Sequence, residues 1–215
     1  MGIKKLIWIV LLSIAIIAGI EIFFEALQHN AKTHDVKIDG TYLNEAKNVN
    51  QFELSATTGK IFNQENLQGH WTLMFFGFTN CGMVCPTTMA ALSGMYKMLQ
   101  KELPEDKLPQ VVMVSVDPSR DSLTRMKEYV TAFDPHFMGA RADIAKTVAL
   151  EKQFYIVAAK IQADGQNKNQ YTMNHSAEIL LFNPAGRLQA YLDYPPSKEQ
   201  LAKDYQLIVK KYSKV

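Results

Sequence analysis

The spacing of polar and apolar positions changes character several times along this chain. Leu6–Phe24 is an apolar run of nineteen residues whose one charge is Glu21. At about 1.5 Å per helical residue it reaches roughly 28 Å, close to the hydrocarbon thickness of a bilayer. Lys4 and Lys5 precede it, which predicts a cytoplasmic N-terminus with the remainder on the far side of the membrane. A cleaved signal peptide is the competing view. Ala15, Ala18 and Gly19 are small, but Ile16 occupies a key position of the cleavage pattern, and the run is long. The pattern predicts an uncleaved single-pass anchor over residues 1–26, a mixed polar tether over 27–43 and one folded domain over 44–215.

Within the domain, "FELSATTGKIF" (Phe52–Phe62) reads as two short strands around a turn in which Gly59 supplies positive φ. "WTLMFFGF" (Trp71–Phe78) is a continuous apolar run, the signature of a strand buried on both faces. A helical stretch follows from Thr87 to about Lys101, and "QVVMVSVD" (Gln110–Asp117) reads as a second buried strand. Pro118 breaks that strand, and Ser119 or Asp121 can cap a helix running to about Phe133. "FMGARAD" leads to a helix over Ile144–Phe154, then a strand over Tyr155–Ile161 and a polar turn over Ala163–Gln170. A third buried strand (Ala177–Phe182), a turn at Asn183–Gly186, a strand "RLQAYL" and an amphipathic helix over Lys198–Tyr212 close the chain. Strands alternating with helices predict an α/β fold, a mixed central sheet with helices on both faces.

Composition narrows the function. A net charge of +2 gives no clustered basic footprint, which argues against nucleic acid as a partner. Apolar content of 47% is that of an ordinary globular chain. With only two cysteines and a core of ordinary size, the fold does not need a disulfide.

Both cysteines, Cys81 and Cys85, fall in "FFGFTNCGMVCP". That stretch sits between the C-terminal end of a central strand and the start of a helix, where open α/β sheets place ligands. A helix N-terminus also favours thiolate. Residues at i and i+4 of a helix share a face, so this spacing permits either a disulfide or a shared metal ion. Thiolates suit Cu(I) and zinc, and a histidine would complete a three-coordinate site. Of the five histidines, His29 and His34 lie in the tether, His70 precedes the central strand, and His136 follows a helix in "DPH". His175 comes just before the strand "AEILLF". In a thioredoxin-like sheet that position faces the cysteine motif, which leaves His175 a candidate ligand or a loop or core histidine.

These motifs together resemble the Sco/SenC family of membrane-anchored copper proteins. The resemblance runs from about Phe52 to the last helix and rests on "FELSATTGKIF", "LQGHW", "FFGFTNCGMVCP", "SVDPSRDS" and "YTMNHSAEILLF". It implies a thioredoxin-like fold in which Cys81, Cys85 and His175 bind one copper ion, as Cu(I) or Cu(II). It also implies assistance in building the binuclear copper centre of cytochrome c oxidase subunit II, by delivering copper, by keeping the target's cysteines reduced, or both. A bacterial inner-membrane protein facing the periplasm is the matching address. That compartment is oxidising, so a thiol reductant protein is implied as a second partner. The chain departs from the family pattern at Gly82-Met83-Val84, where a proline and an acidic residue are usual first and second, and at Asn174, where an Asp is common. Nearby carboxylates stabilise the more highly charged metal, so their absence implies a preference for Cu(I).

Asp117, Arg120 and Asp121 of "VDPSRD" invite a catalytic reading, but a salt link or cap that ties the loop near the site is the simpler one. Tyr171 supports the His175 loop by the same resemblance. Other function classes remain open. A thiol–disulfide oxidoreductase would use Cys81 as nucleophile and Cys85 as resolving thiol, with no histidine. A copper or redox sensor would use the same ligands. A peroxidase is disfavoured, since Phe78 and Gly82 stand where its threonine would be.

Overall fold

The computed structural model describes residues 2, 8, 12, 16–21, 23, 37–162, 171–194 and 197–213. The chain divides into two units, Met1–Val36 and Lys37–Val215. Most of the expected anchor lies outside the described residues, as do residues 27–36 of the expected tether, with His29 and His34, and the polar turn Ala163–Gln170. The described positions between Trp8 and Phe23 are helical. Among the described residues no helix is long and apolar enough to cross a membrane.

Lys37–Val215 is built on an eight-stranded mixed sheet in the order β1-β10-β9-β4-β5-β6-β2-β3. Its strands are β1 (Gly40–Lys47), β2 (Glu53–Ala56), β3 (Ile61–Asn63), β4 (Thr72–Gly77), β5 (Gln110–Ser115), β6 (Met138–Arg141), β9 (Ile179–Phe182) and β10 (Leu188–Leu192). Strands β4, β5 and β6 run parallel, and the remaining pairs are antiparallel. A separate two-stranded antiparallel ribbon joins β7 (Ala158–Ile161) to β8 (Thr172–His175). The helices are α1 (Val84–Glu102), α2 (Leu123–Thr131), α3 (Ile144–Gln153) and α4 (Lys198–Tyr212).

The α/β expectation holds, and its centre is β4, all six of whose residues are buried. Side chains alternate across a strand, so burial of every position needs a layer on each face. On one face Trp71 meets Tyr205 and Tyr212 of α4 edge-on, and Gly77 lies against Cys85 of α1. On the other, Phe76 packs against Phe154 at the end of α3, which also meets Phe182 of β9. Each such phenyl ring contributes about 1.5–3 kcal/mol by leaving water. Gly59 has φ +80° in the β2–β3 turn, as its sequence context predicts, and Gly186 has φ +73° in the β9–β10 turn. A residue with a Cβ would be strained at either position.

Several boundaries differ from the sequence reading. Residues 40–43, read as tether, belong to edge strand β1, because Gly40, Thr41 and Tyr42 pair with Leu192, Tyr191 and Ala190. Polar side chains on an edge strand look like a linker in sequence. Met138–Arg141 is a strand in its own right. Helix α2 is capped by Ser122, whose side chain accepts from the Arg125 N–H at 3.2 Å, and not by Ser119 or Asp121.

Helix α3 carries a buried acid, Glu151, which burial pushes up to about 7 from 4.5. The unfolded carboxyl ionises first as pH rises, so folding retains a proton and stability falls between about pH 4.5 and 7. Glu151→Gln is expected to abolish that slope and to gain about 1–3 kcal/mol at pH 8 with little gain at pH 4. Urea unfolding across this range checks it, and parallel profiles for the two proteins would refute it.

Candidate metal centre

The loop between β4 and α1 is fixed before either cysteine is reached. Asp121 is 1% exposed, and its carboxylate accepts hydrogen bonds from the Thr79 N–H, the Thr79 hydroxyl and the Ser115 hydroxyl. Val116 N–H donates to the Gly77 carbonyl at 3.0 Å, so the ends of β4 and β5 are tied at two levels. Asn80 accepts from Arg125 of α2. Cys81 N–H then closes a turn on the Phe78 carbonyl at 3.2 Å, and α1 starts at Val84. Pro86 sits in the first turn, where its missing N–H costs nothing.

The two cysteines do not share a helix face, as the i, i+4 spacing suggested. Cys85 lies inside α1, while Cys81 lies in the preceding turn, folded over the helix end so that the Cys85 N–H donates to Cys81 Sγ at 3.3 Å. Both thiols are free. Cys85 is fully buried and Cys81 half-buried. Burial pushes the Cys85 thiol well up from its ordinary range, and only the backbone hydrogen bond from Phe78 opposes it. At this cysteine burial outweighs the thiolate-favouring helix end, and a metal ion must displace the proton to bind.

His175 ends β8 and is not in a loop. Its Nδ1 donates to the Ser176 carbonyl at 2.7 Å, which leaves Nε2 as the acceptor, 3.5 Å from Cys85 Sγ. The ring packs edge-on against Phe78 at 5.7 Å and Phe75 at 6.1 Å. Burial lowers its pKa, opposed by the Ser176 hydrogen bond and the Glu178 charge, so the imidazole is neutral and able to ligate. The ligand atoms of Cys81, Cys85 and His175 lie within 4.8 Å of one another. Two sulfurs and one imidazole nitrogen at that spacing suit a soft ion in a three-coordinate site.

His70 and His136 are elsewhere. His70 Nε2 meets Gln110 Oε1 at 3.1 Å, and His136 Nδ1 meets Asp134 Oδ1 at 2.7 Å while its ring stacks on Tyr96. Asp117 and Arg120 of "VDPSRD" form a salt link that ties the loop to the ribbon, as expected. Arg120 Nε pairs with Asp117, its Nη1 donates to the Tyr171 carbonyl at 2.9 Å, and the Tyr171 hydroxyl donates to Asp117 Oδ1 at 2.7 Å. Of the departures, Met83 is 71% exposed beside Cys81, and Asn174 is exposed on the ribbon face opposite His175. Sequence reasoning missed Thr79, Ser115 and Tyr129. The Tyr129 hydroxyl is buried without a hydrogen-bond partner, and its pKa is raised by burial first and by Cys85 and Cys81 next. Nothing in the sequence pattern marked Tyr129.

The family model described as SCO1/SenC matches residues 40–210. An SCO2-like protein of Rickettsia felis is 31% identical over 173 residues, covering 80% of this chain and 78% of the relative. The solved structure of Bradyrhizobium japonicum ScoI with copper bound is similar with TM-score 0.64 and 31% identity, over 73% of this chain and 96% of that one. The apo Sco1 protein of Thermus thermophilus is similar with TM-score 0.66 and 28% identity, over 85% and 99%.

Asp121→Asn would set an amide N–H₂ against donors that now point at a carboxylate. The expected loss is about 1–3 kcal/mol in urea unfolding, since buried donors lose their acceptor. A loss under about 0.5 kcal/mol would contradict the anchoring role.

Proposed function

This chain belongs to the SCO1/SenC family, and from that membership and the geometry of its clasp we propose that it carries one copper ion on Cys81, Cys85 and His175. The convergence of their three ligand atoms within 4.8 Å is the observation that carries this reading. Copper is its cargo. Two thiolates and a neutral imidazole favour Cu(I), and the fixed Nδ1–H···O bond presents Nε2 to the ion. Cys81 is half-buried and Cys85 fully buried, so of the two sulfurs Cys81 is the nearer to solvent. The destination in this reading is the binuclear copper centre of cytochrome c oxidase subunit II, with an N-terminal anchor over residues 1–26 holding the domain on the periplasmic face of a bacterial inner membrane.

A thiol–disulfide exchange role is the second reading. It is favoured by two free thiols side by side, one half-buried and one fully buried. The two readings part at His175. Cu(I) titration of the reduced chain against a competing chelator is expected to give one tight site, lost in His175→Ala, with copper passing from the parent protein to a subunit II domain. Undiminished affinity in His175→Ala would overturn the clasp, while thiol reductase activity that survives the substitution would support the second reading.

The structure also separates the two departures from the family pattern. Met83→Asp places a carboxylate beside Cys81 and is expected to lower the potential of the bound copper by favouring Cu(II). Asn174→Asp, on the outward face of β8, is expected to leave it nearly unchanged. Voltammetry of the two single variants checks this, and equal shifts would refute the assignment.

A further inference from the structure

The ribbon that bears His175 pairs with no strand of the main sheet among the described residues. Its register places Lys160 opposite Met173 and Ala158 opposite His175. Tyr171, Met173 and His175 follow at every second position, so they share the face turned to the domain. That face meets the body unevenly. At one end His175 lies on Phe75 and Phe78. In the middle a cavity of about 250 Å³ separates the ribbon from α3, lined by Pro118, Thr147, Glu151, Lys160, Tyr171 and Met173 among others. At the other end stands Arg120.

Arg120 ties the turn at Asp117 to the ribbon at Tyr171. Its Nε pairs with buried Asp117, which is held in turn by its own N–H on the Ser115 hydroxyl at 3.0 Å. Its Nη1 takes the Tyr171 carbonyl, its guanidinium lies 3.7 Å from the Tyr171 ring centroid, and it is 5.9 Å from the ring of Phe78. Phe78 is the ring on which His175 rests. One guanidinium therefore grips the backbone and the ring of the ribbon residue four positions before the ligand. Only an arginine's planar fork can make these contacts together.

We infer that Arg120 is a positioning residue for the metal site: by gripping Tyr171 it holds the ribbon so that His175 reaches the two sulfurs. Without that grip the ribbon can shift along the cavity beside α3, and the bound ion keeps two thiolates and loses its nitrogen. The inference rests on the copper-carrying reading for its ion, but the mechanical half does not need copper.

The test uses the full chain in four forms: parent, Arg120→Ala, His175→Ala and the double variant. In Arg120→Ala the Cu(I) affinity is expected to fall about tenfold or more. X-ray absorption should show the nitrogen scatterer lost from the first shell. In the His175→Ala background Arg120→Ala should cost nothing further, because the two act through one ligand. In the metal-free protein, amides of Thr172–His175 should exchange faster while those of β9 do not. Arg120→Lys, which keeps the charge without the fork, should not restore the nitrogen ligand. Tyr171→Phe, which removes only the bond to Asp117, should shift exchange and affinity the same way by less, and it decides the matter if Arg120→Ala does not fold. An unchanged first shell, or losses that add in the double variant, would overturn the proposal. A parent that takes up no copper would defeat the functional reading alone, and ribbon exchange would still report on Arg120.

Discussion

The carboxylate of Asp121, buried beneath the ends of β4 and β5, is where the site begins. It accepts from Thr79 in one loop and Ser115 at the end of the neighbouring strand. Leaving such donors unpaired in a buried place costs more than forming the bonds gains, so the loops have one acceptable arrangement. Everything downstream inherits that arrangement: the turn at Cys81, the start of α1 two residues before Pro86, and the wall that Phe78 offers to His175. Asp117 does the equivalent work for the ribbon through Arg120 and Tyr171. Two acids four residues apart thus fix the two pieces of chain that bear Cys81 and His175.

The sheet's centre was legible because burial leaves a strong mark. "TLMFFG" and "ILLF" have no polar side to show water, and they became β4 and β9. The closing helix was legible to its ends, since Ser197 caps it and its apolar stripe has helical period. The edge strand β1 was not. An edge strand needs only one partner and tolerates polar residues, so Gly40–Lys47 shows neither a continuous apolar run nor a regular alternation. Of the site, the residue types were visible and their arrangement was not. Spacing placed both cysteines on one helical face, whereas a turn before the helix does the work. His175 looked like a loop residue because β8 alternates weakly, with exposed and half-buried positions in place of buried ones. A ribbon outside the main sheet shows little hydrophobic periodicity.

Electrostatics at the clasp work against charge until a metal supplies its own. Cys85 and His175 are both held toward their neutral forms by loss of water, and no described carboxylate lies among the three ligands. A soft monovalent ion suits such surroundings better than a divalent one, because less charge must be balanced without solvent. Met83, exposed two residues after Cys81, adds an uncharged, polarisable side chain, while Glu178 and Asp121 supply the negative charge felt at His175 and Cys85.

The unequal depth of the two sulfurs gives the site a direction. Cys85 is sealed under the sheet and the helix, while Cys81 stands in the turn with part of its surface open. An approaching thiolate, whether it comes for a metal or for a disulfide, finds Cys81 first. Any exchange here would therefore follow an order: the outer sulfur would change partner first, and the inner one would let go last.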